Sequence, residues 1–481
     1  MDFYTDFNKN LSLFTTAFER DSTFVVKNIS NPHLPALKIA VVMINCMINT
    51  NVVDRDVLRP LGTNNIHPDI IIAESMAINA HTSKLEYNVN NALISVAAGD
   101  CAVLIGDNPA VIIVDSKGMQ QRSVNAPESE LSIAGPSEGF NENIMTNLSL
   151  VKKRIMTPDL KCEFMESGKK SHSKYCLCYI DGIADPALVK KLKTRLEGID
   201  IDYVGDINYI AELIRDNKTS FVKTYGKTNR PDVFCARLLE GCVGVILYGS
   251  PTALTLPYLF LENFQTPDDY YLNCYYANVG RVLRLIGFYL SFLLPSAYIA
   301  ILHHHFSMLP TEWLYSITSA RLGVPLPSLV EMLLLFAVFE ALRETSARMP
   351  SSIGLALNIV GAIILGQAAV EARLVSAPMV IVVAFSGVAG LMVYDLKGTV
   401  FYVRGIMILL SAYTGFVGIT IGFTLFTVML SNMSSLGVPL MSAFSPFSKN
   451  AKSDVFFRAP IYKMNCRQST FTQDVKRQGR V

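Results

Sequence analysis

Between Leu285 and Ser448 the chain carries only about a dozen charged side chains in roughly 164 residues, whereas the 280 residues before this stretch are charged at ordinary soluble density. One uniform globule does not distribute charge in this way. The pattern predicts a water-soluble region followed by helices built for hydrocarbon. The overall 51% of apolar and 17% of charged residues in 481 average over these two halves. A formal net charge of +2 offers no global basic field, so nucleic acid is not an expected partner. Nine cysteines without regular spacing fit a reducing compartment rather than a disulfide scaffold. The opening MDFYTDFNKNLSLF lacks the basic-then-apolar order of a signal peptide, so the first half is expected to stay in the cytoplasm.

The first half reads as α/β in two parts. Leu37 to Asn45 is a buried-strand run, and Cys101 to Asp107 with Ala110 to Asp115 reads as a hairpin across an Asn-Pro turn. A second sheet is expected from Tyr175 to Gly182 and Gly241 to Ser250, with a helix from Pro186 to Leu196 capped by Asp185 and another after Asp206. Between the two parts, Gly135 to Ile155 predicts a linking helix capped by Ser137, with Phe140, Ile144, Leu148 and Val151 on one face. Lys152, Lys153 and Arg154 sit at its C-terminal end, where cations suit the helix dipole. The expected organisation is an α/β two-lobed N-terminal soluble region plus an α-helical multi-pass membrane domain. Its parts are residues 1–134, a linking helix 135–155, a second subdomain 156–280, a transmembrane helical domain 281–448, and a basic tail 449–481.

Within the apolar half, the stretch after Arg284, broken by Pro295, is long enough to span about 30 Å of hydrocarbon. Further spans are expected at Ser351 to Val370, Ala377 to Tyr394, and Gly405 to Leu430. Pro325 to Glu344 carries Glu331 and Glu340 and reads as re-entrant, interfacial or packed inside an oligomer. Arg281 and Arg284 place the N-terminal side inside, and a tail with eight Lys or Arg against two Asp also belongs inside, near anionic lipid. The number of crossings is therefore even, with four expected and six as the alternative.

Carboxylates in such a stretch must face protein or water, so they are candidate functional groups. Glu331 and Glu340 lie nine positions apart and point to opposite sides of a helix, whereas Glu340 and Glu344 share a face beside Arg343. Internal pairing and the lining of a hydrated path are both open. Gly354, Gly361, Gly366 and many alanines allow close helix approach between Ser351 and Ser376, where Asn358, Gln367 and Glu371 add polar groups suited to a wet wall around a symmetry axis. Candidate pore or coupling residues are Glu331, Glu340, Arg343, Asn358, Val360, Gln367, Glu371 and Arg373. Three consecutive histidines, His303 to His305, point about 100° apart and make a poor metal site. Cys176 and Cys178 form only C-x-C, without a second pair at zinc spacing, and read as buried strand residues. No P-loop, HExxH, G-x-S-x-G or GxGxxG occurs in a fitting context, so neither an enzyme nor a cofactor or metal is expected.

Several long stretches resemble one family. GPSEGFNENIMTNLSLVKKRI, the run Arg230 to Tyr271, GVPLPSLVEMLLLFAVFEALRE, IVGAIILGQAAVEARLVSAPMVIVVA, SLGVPL and DVFFRAPIYKM resemble A subunits of bacterial spore germinant receptors, the GerA family. The wording FEALRE and GQAAVEARLVSAPMV is closer to receptor A subunits than to the related sporulation protein SpoVAF. YGSPTAL departs from relatives that often carry Asp before the Gly. The resemblance implies an integral protein of the spore inner membrane, N-terminal region and tail on the core side, working with a transporter-like B subunit and a lipoprotein C subunit. It further implies homo-oligomers around a nutrient-gated cation conduit. The alternative is a non-conducting scaffold that recruits the B and C subunits or activates another channel, with every intramembrane charge paired.

Overall fold

The computed structural model describes residues 2–63, 70, 83–118, 134–348 and 366–442, together with residues 454, 457–464, 466–467, 472, 474 and 476–477 of the tail. In the first lobe, α1 (Phe7–Ala17) starts at Asp6, whose carboxylate accepts the amides of Asn8 and Lys9. Then follow β1 (Phe24–Ile29), β2 (Ile39–Ile44) and a helical run, α2, made of Thr50–Val52, the π-helical turn Val53–Leu58, and Arg59–Thr63. β3 (Ser83–Glu86), α3 (Val89–Ala97), β4 (Cys101–Ile105) and β5 (Val111–Val114) complete the lobe. The sheet order is β1-β2-β4-β5-β3, antiparallel at every pairing. The runs IAVVMI, CAVLI and VIIV are apolar at every position because both faces are covered. Phe14 of α1 and Val96 of α3 pack on one face, and Val53, Val57 and Leu61 of α2 pack on the other.

The second lobe begins with α4 (Ile144–Arg154), β6 (Leu160–Ser167), β7 (Ser173–Ile180), α5 (Pro186–Glu197) and α6 (Ile207–Leu213). It continues with β8 (Gly226–Thr228), α7 (Pro231–Leu239), β9 (Val243–Leu247) and β10 (Ala253–Leu256). Its order, β6-β7-β9-β10-β8, is again antiparallel throughout. Leu148 of α4 and Phe234 of α7 cover one face, while Leu192 of α5 and Ile210 of α6 cover the other.

The two lobes therefore repeat one layout. In each, a helix precedes the first strand, the helix before the fourth strand shares its face, and the intervening helices cover the opposite face. The helix expected between the lobes is thus the first element of the second. It starts at Ile144 with Asn143 as its cap, rather than near Ser137, because the Asn143 side chain accepts the amides of Met145 and Thr146. This helix and β6 after it also reach the first lobe. Lys152 donates to buried Asp21 at 2.5 Å, Lys161 to the Ala17 carbonyl at 2.8 Å, and the Ser22 amide to the Cys162 carbonyl at 2.9 Å.

The helical half holds α8 (Cys274–His304), α9 (Thr311–Arg321), α10 (Ser328–Arg348), α11 (Ala377–Leu391), α12 (Lys397–Thr414) and α13 (Phe416–Ser431). Among the described residues, Cys274–His304 and Tyr394–Thr414 are long and apolar enough to cross a membrane, and Ala377–Leu391 and Phe416–Ser431 are apolar but shorter. Gly405 to Leu430 is not one span, as expected from its apolarity, but two helices parted at Gly415. There φ is +63°, a conformation open to glycine, and a side chain would meet His305. A short hairpin, β11 (Ser434–Ser435) with β12 (Val438–Pro439), then returns the chain to the second lobe. Asp216 accepts the Ser434 hydroxyl at 2.5 Å and the Gly437 amide at 2.7 Å, and Leu436 and Val438 enter the lobe's core.

Candidate functional site

Among the described residues, the helical half buries few charges, and each has specific partners. Pro295 lies inside α8 and has no N–H to give, so the carbonyl four residues back, on Ser291, lacks its helical donor. Arg404 of α12 supplies one through Nε at 2.9 Å, and the Ser386 hydroxyl of α11 a second at 3.1 Å. The Arg404 guanidinium also lies 4.4 Å over the Phe336 ring and 3.8 Å from Glu340, which pairs in turn with Arg343. Four helices meet at this arginine. Glu344 turns instead to Arg348 at 2.6 Å, so the expected cluster of Glu340 and Glu344 around Arg343 divides into two pairs.

Glu331, fully buried on α10, forms the second node. One carboxylate oxygen accepts both the amide and the hydroxyl of Ser376, each at 2.6 Å, and Arg321 of α9 stands 4.0 Å from the other. Ser376 is the residue before α11, so Glu331 caps that helix from another helix, where negative charge is favoured. The opposite-face reading of Glu331 and Glu340 agrees with these separate partners.

Gln367 donates to Glu371 at 2.9 Å, one turn away, and both remain exposed in the chain. Arg373 is exposed as well, with a positive φ of 54°. Asn358 and Val360 lie outside the described residues, as do residues 351–365 of the expected span Ser351 to Val370. The three histidines go separate ways, as their spacing requires: His303 to the Ser328 hydroxyl, His304 to the Ala412 carbonyl, and His305 against Phe416.

A third cluster joins lobe, first long helix and tail. Asp269 pairs with Arg284 and, at 3.0 Å, with Arg281, which also reaches Asp454 of the tail at 3.1 Å. Arg458 donates to the carbonyls of Asp269 and Leu272, and Arg467 to that of Leu239 at 2.7 Å. These described tail arginines are thus bonded within the chain. Beside them lies a cavity of about 790 Å³, whose wall includes Asp232, Arg237, Glu240, Glu262 and Tyr270. Burial pushes the Glu262 carboxyl up to about 7, against the pull of Arg237 2.6 Å away.

Sequence reasoning missed Arg404, Arg321 and Asp269. The signal for Arg404 was present, since an arginine in an apolar run demands a partner, but naming the partner needs the fold. It also missed Cys162, which strand pairing sets opposite Cys178.

Comparison with known proteins gives a consistent answer. The family described as Bacillus/Clostridium GerA spore germination protein matches residues 12–470. Spore germination protein KA of Bacillus subtilis (strain 168) is 33% identical over 98% of this chain and 88% of its own length. The uncharacterized membrane protein YfkQ of the same organism is 35% identical over 82% of this chain and 77% of its own. A crystal structure of the N-terminal domain of the A subunit of the Bacillus megaterium spore germinant receptor GerK3 aligns with 54% of this chain and 98% of its own. Its identity is 26% and its TM-score 0.41.

Proposed function

The chain belongs to the GerA family of spore germination proteins, and from that premise we propose that it is the A subunit of a nutrient germinant receptor in the spore inner membrane. Its soluble lobes face the spore core. Its helical half assembles with further copies around a gated cation conduit, and B and C subunits complete the receptor. The observation that carries this reading is the exposed pair Gln367 and Glu371 in an otherwise apolar segment. A carboxylate there requires water or a second chain, and a ring of copies supplies both. The wall of the conduit is assigned to Ser351 to Val370, with Glu371 and Glu340 near its mouths.

A second reading, a non-conducting scaffold, is supported by a different observation. Glu331, Glu340, Arg343 and Arg404 are engaged with partners inside one chain, as a rigid support requires. The two readings assign different roles: the inner charges hold helices in place, and the Gln367 to Arg373 segment is the one we assign to a path.

Reconstitution into cation-loaded liposomes, alone and with the B and C subunits, tests the choice. Nutrient-dependent efflux from the complete complex, altered by Gln367→Ala or Glu371→Ala, is the expected result. Silence of an assembled, nutrient-binding complex moves the assignment to the scaffold.

A further inference from the structure

Outside the helical half, three thiols converge in the core of the second lobe. Cys162 on β6 stands directly opposite Cys178 on β7, and Cys176, two residues away, points to the same face. The three Sγ atoms lie within 4.8 Å of one another, all in buried residues, with Cys176 and Cys178 only 3.8 Å apart. Thiolates bound tetrahedrally at about 2.3 Å from zinc stand about 3.8 Å from each other, so the trio has nearly the span of three zinc ligands. A fourth thiol stands nearby on the other lobe: Cys46, after β2, packs against the apolar core that holds the three cysteines, outside the 4.8 Å group their sulfurs form.

The surroundings suit metal thiolates. Lys152, 3% exposed and bonded to Asp21, interacts electrostatically with both Cys162 and Cys46. Three thiolates around Zn²⁺ leave one net negative charge, and four leave two; the Lys152–Asp21 pair beside them is neutral and adds no further negative charge. Packing alone would be met by any small apolar side chain, and it gives no reason for three sulfurs to gather within 4.8 Å of one another beside a buried lysine.

We propose that Cys162, Cys176 and Cys178, with Cys46 from the first lobe, form a structural zinc site that ties the two lobes together. Binding releases the thiol protons to solvent and leaves no ligand position for a substrate, so the site holds the lobes in register and performs no reaction.

The test uses the full chain purified in detergent without a metal-affinity tag. Elemental analysis should find about one zinc per chain. Cys176→Ser combined with Cys178→Ser should remove it, Cys46→Ser should weaken its retention against a chelator, and Cys242→Ser, a buried cysteine outside the cluster, should leave it unchanged. Because the double variant could fail to fold, the unaltered chain provides a second measurement. Stripped of metal and given Co²⁺, it should show intense thiolate-to-cobalt charge-transfer absorption in the near ultraviolet, and chelation should lower its melting temperature. A folded, metal-free chain that gives no such absorption overturns the proposal, as does zinc that survives the double substitution.

Discussion

Arg404 donates its Nε to the carbonyl oxygen of Ser291 at 2.9 Å, the acceptor that Pro295 leaves without its helical donor. The proline and the arginine belong to different helices and are separated by more than a hundred residues, yet each explains the other. A proline in a buried helix needs a replacement donor, and a buried guanidinium needs acceptors.

Removing Arg404 alone should therefore be severe. Arg404→Gln leaves Glu340 with Arg343 only and deprives the Ser291 carbonyl of its charged donor, a loss of about 3–5 kcal/mol for a broken buried pair. Pro295→Ala restores a backbone N–H to that carbonyl, so in the double variant the cost of Arg404→Gln should shrink by roughly 1 kcal/mol. Thermal melting of the four detergent-purified proteins gives the coupling. Strict additivity would mean that proline and arginine do not share the carbonyl.

Glu331 and Ser376 make a graded prediction. Glu331→Ala leaves the Ser376 amide and hydroxyl without their acceptor at the start of α11 and should cost about 1–3 kcal/mol. Glu331→Gln keeps a carbonyl oxygen in place and should cost less. Ser376→Ala removes only the hydroxyl and should be the mildest. Protein level in membranes and the melting temperature check the order. A Glu331→Gln variant as unstable as Glu331→Ala would show that charge, rather than the acceptor, is what this position supplies.

Local signals carried much of the fold. Asp185 caps α5 with Pro186 at its first turn, as spacing alone suggested, and Asp206 caps α6. The runs of Val and Ile around Val41, Val103 and Ile112 became central strands because they are apolar at every position. What stayed hidden depends on contacts between distant residues. Cys162 meets Cys178 only through the register of β6 on β7, and the shared layout of the lobes lies in strand order, which leaves no obvious repeat in the residues. In the helical half, hydropathy marked apolar segments but not the turn at Gly415, since a glycine within an apolar run can lie in a helix or end one. Gln367 and Glu371 stood out as polar groups in an apolar segment, whereas the partners of Glu331 and Glu340 required the packing of three other helical segments.

The junction between the lobes offers a third prediction. Asp21 and Lys152 are both buried and bonded at 2.5 Å, with Thr23 donating its amide and hydroxyl to the same carboxylate. Either Asp21→Asn or Lys152→Met alone leaves one group without its charged partner and should cost about 3–5 kcal/mol. The double variant removes both charges and should recover part of that loss. Urea unfolding followed by tryptophan-independent circular dichroism supplies the comparison. A double variant less stable than both single ones would show that the two residues act through other neighbours.

Glu262 gives a prediction in pH. Burial beneath the cavity raises its carboxyl from the ordinary value of 4.5 to about 7, with Arg237 acting in the opposite direction. A carboxyl that holds its proton more tightly when folded stabilises the fold fully below its unfolded value, and this contribution declines as pH rises through the folded one. Between about pH 4.5 and 7 the melting temperature should therefore carry a downward contribution from Glu262. Glu262→Gln keeps the shape and removes the titration, so its melting temperature should fall less across that window, whatever its absolute stability after the loss of the Arg237 partner. Melting curves collected at intervals of pH on both proteins decide the matter: parallel profiles would place the Glu262 titration outside this window, and a steeper fall in the variant would reverse the sign of its linkage.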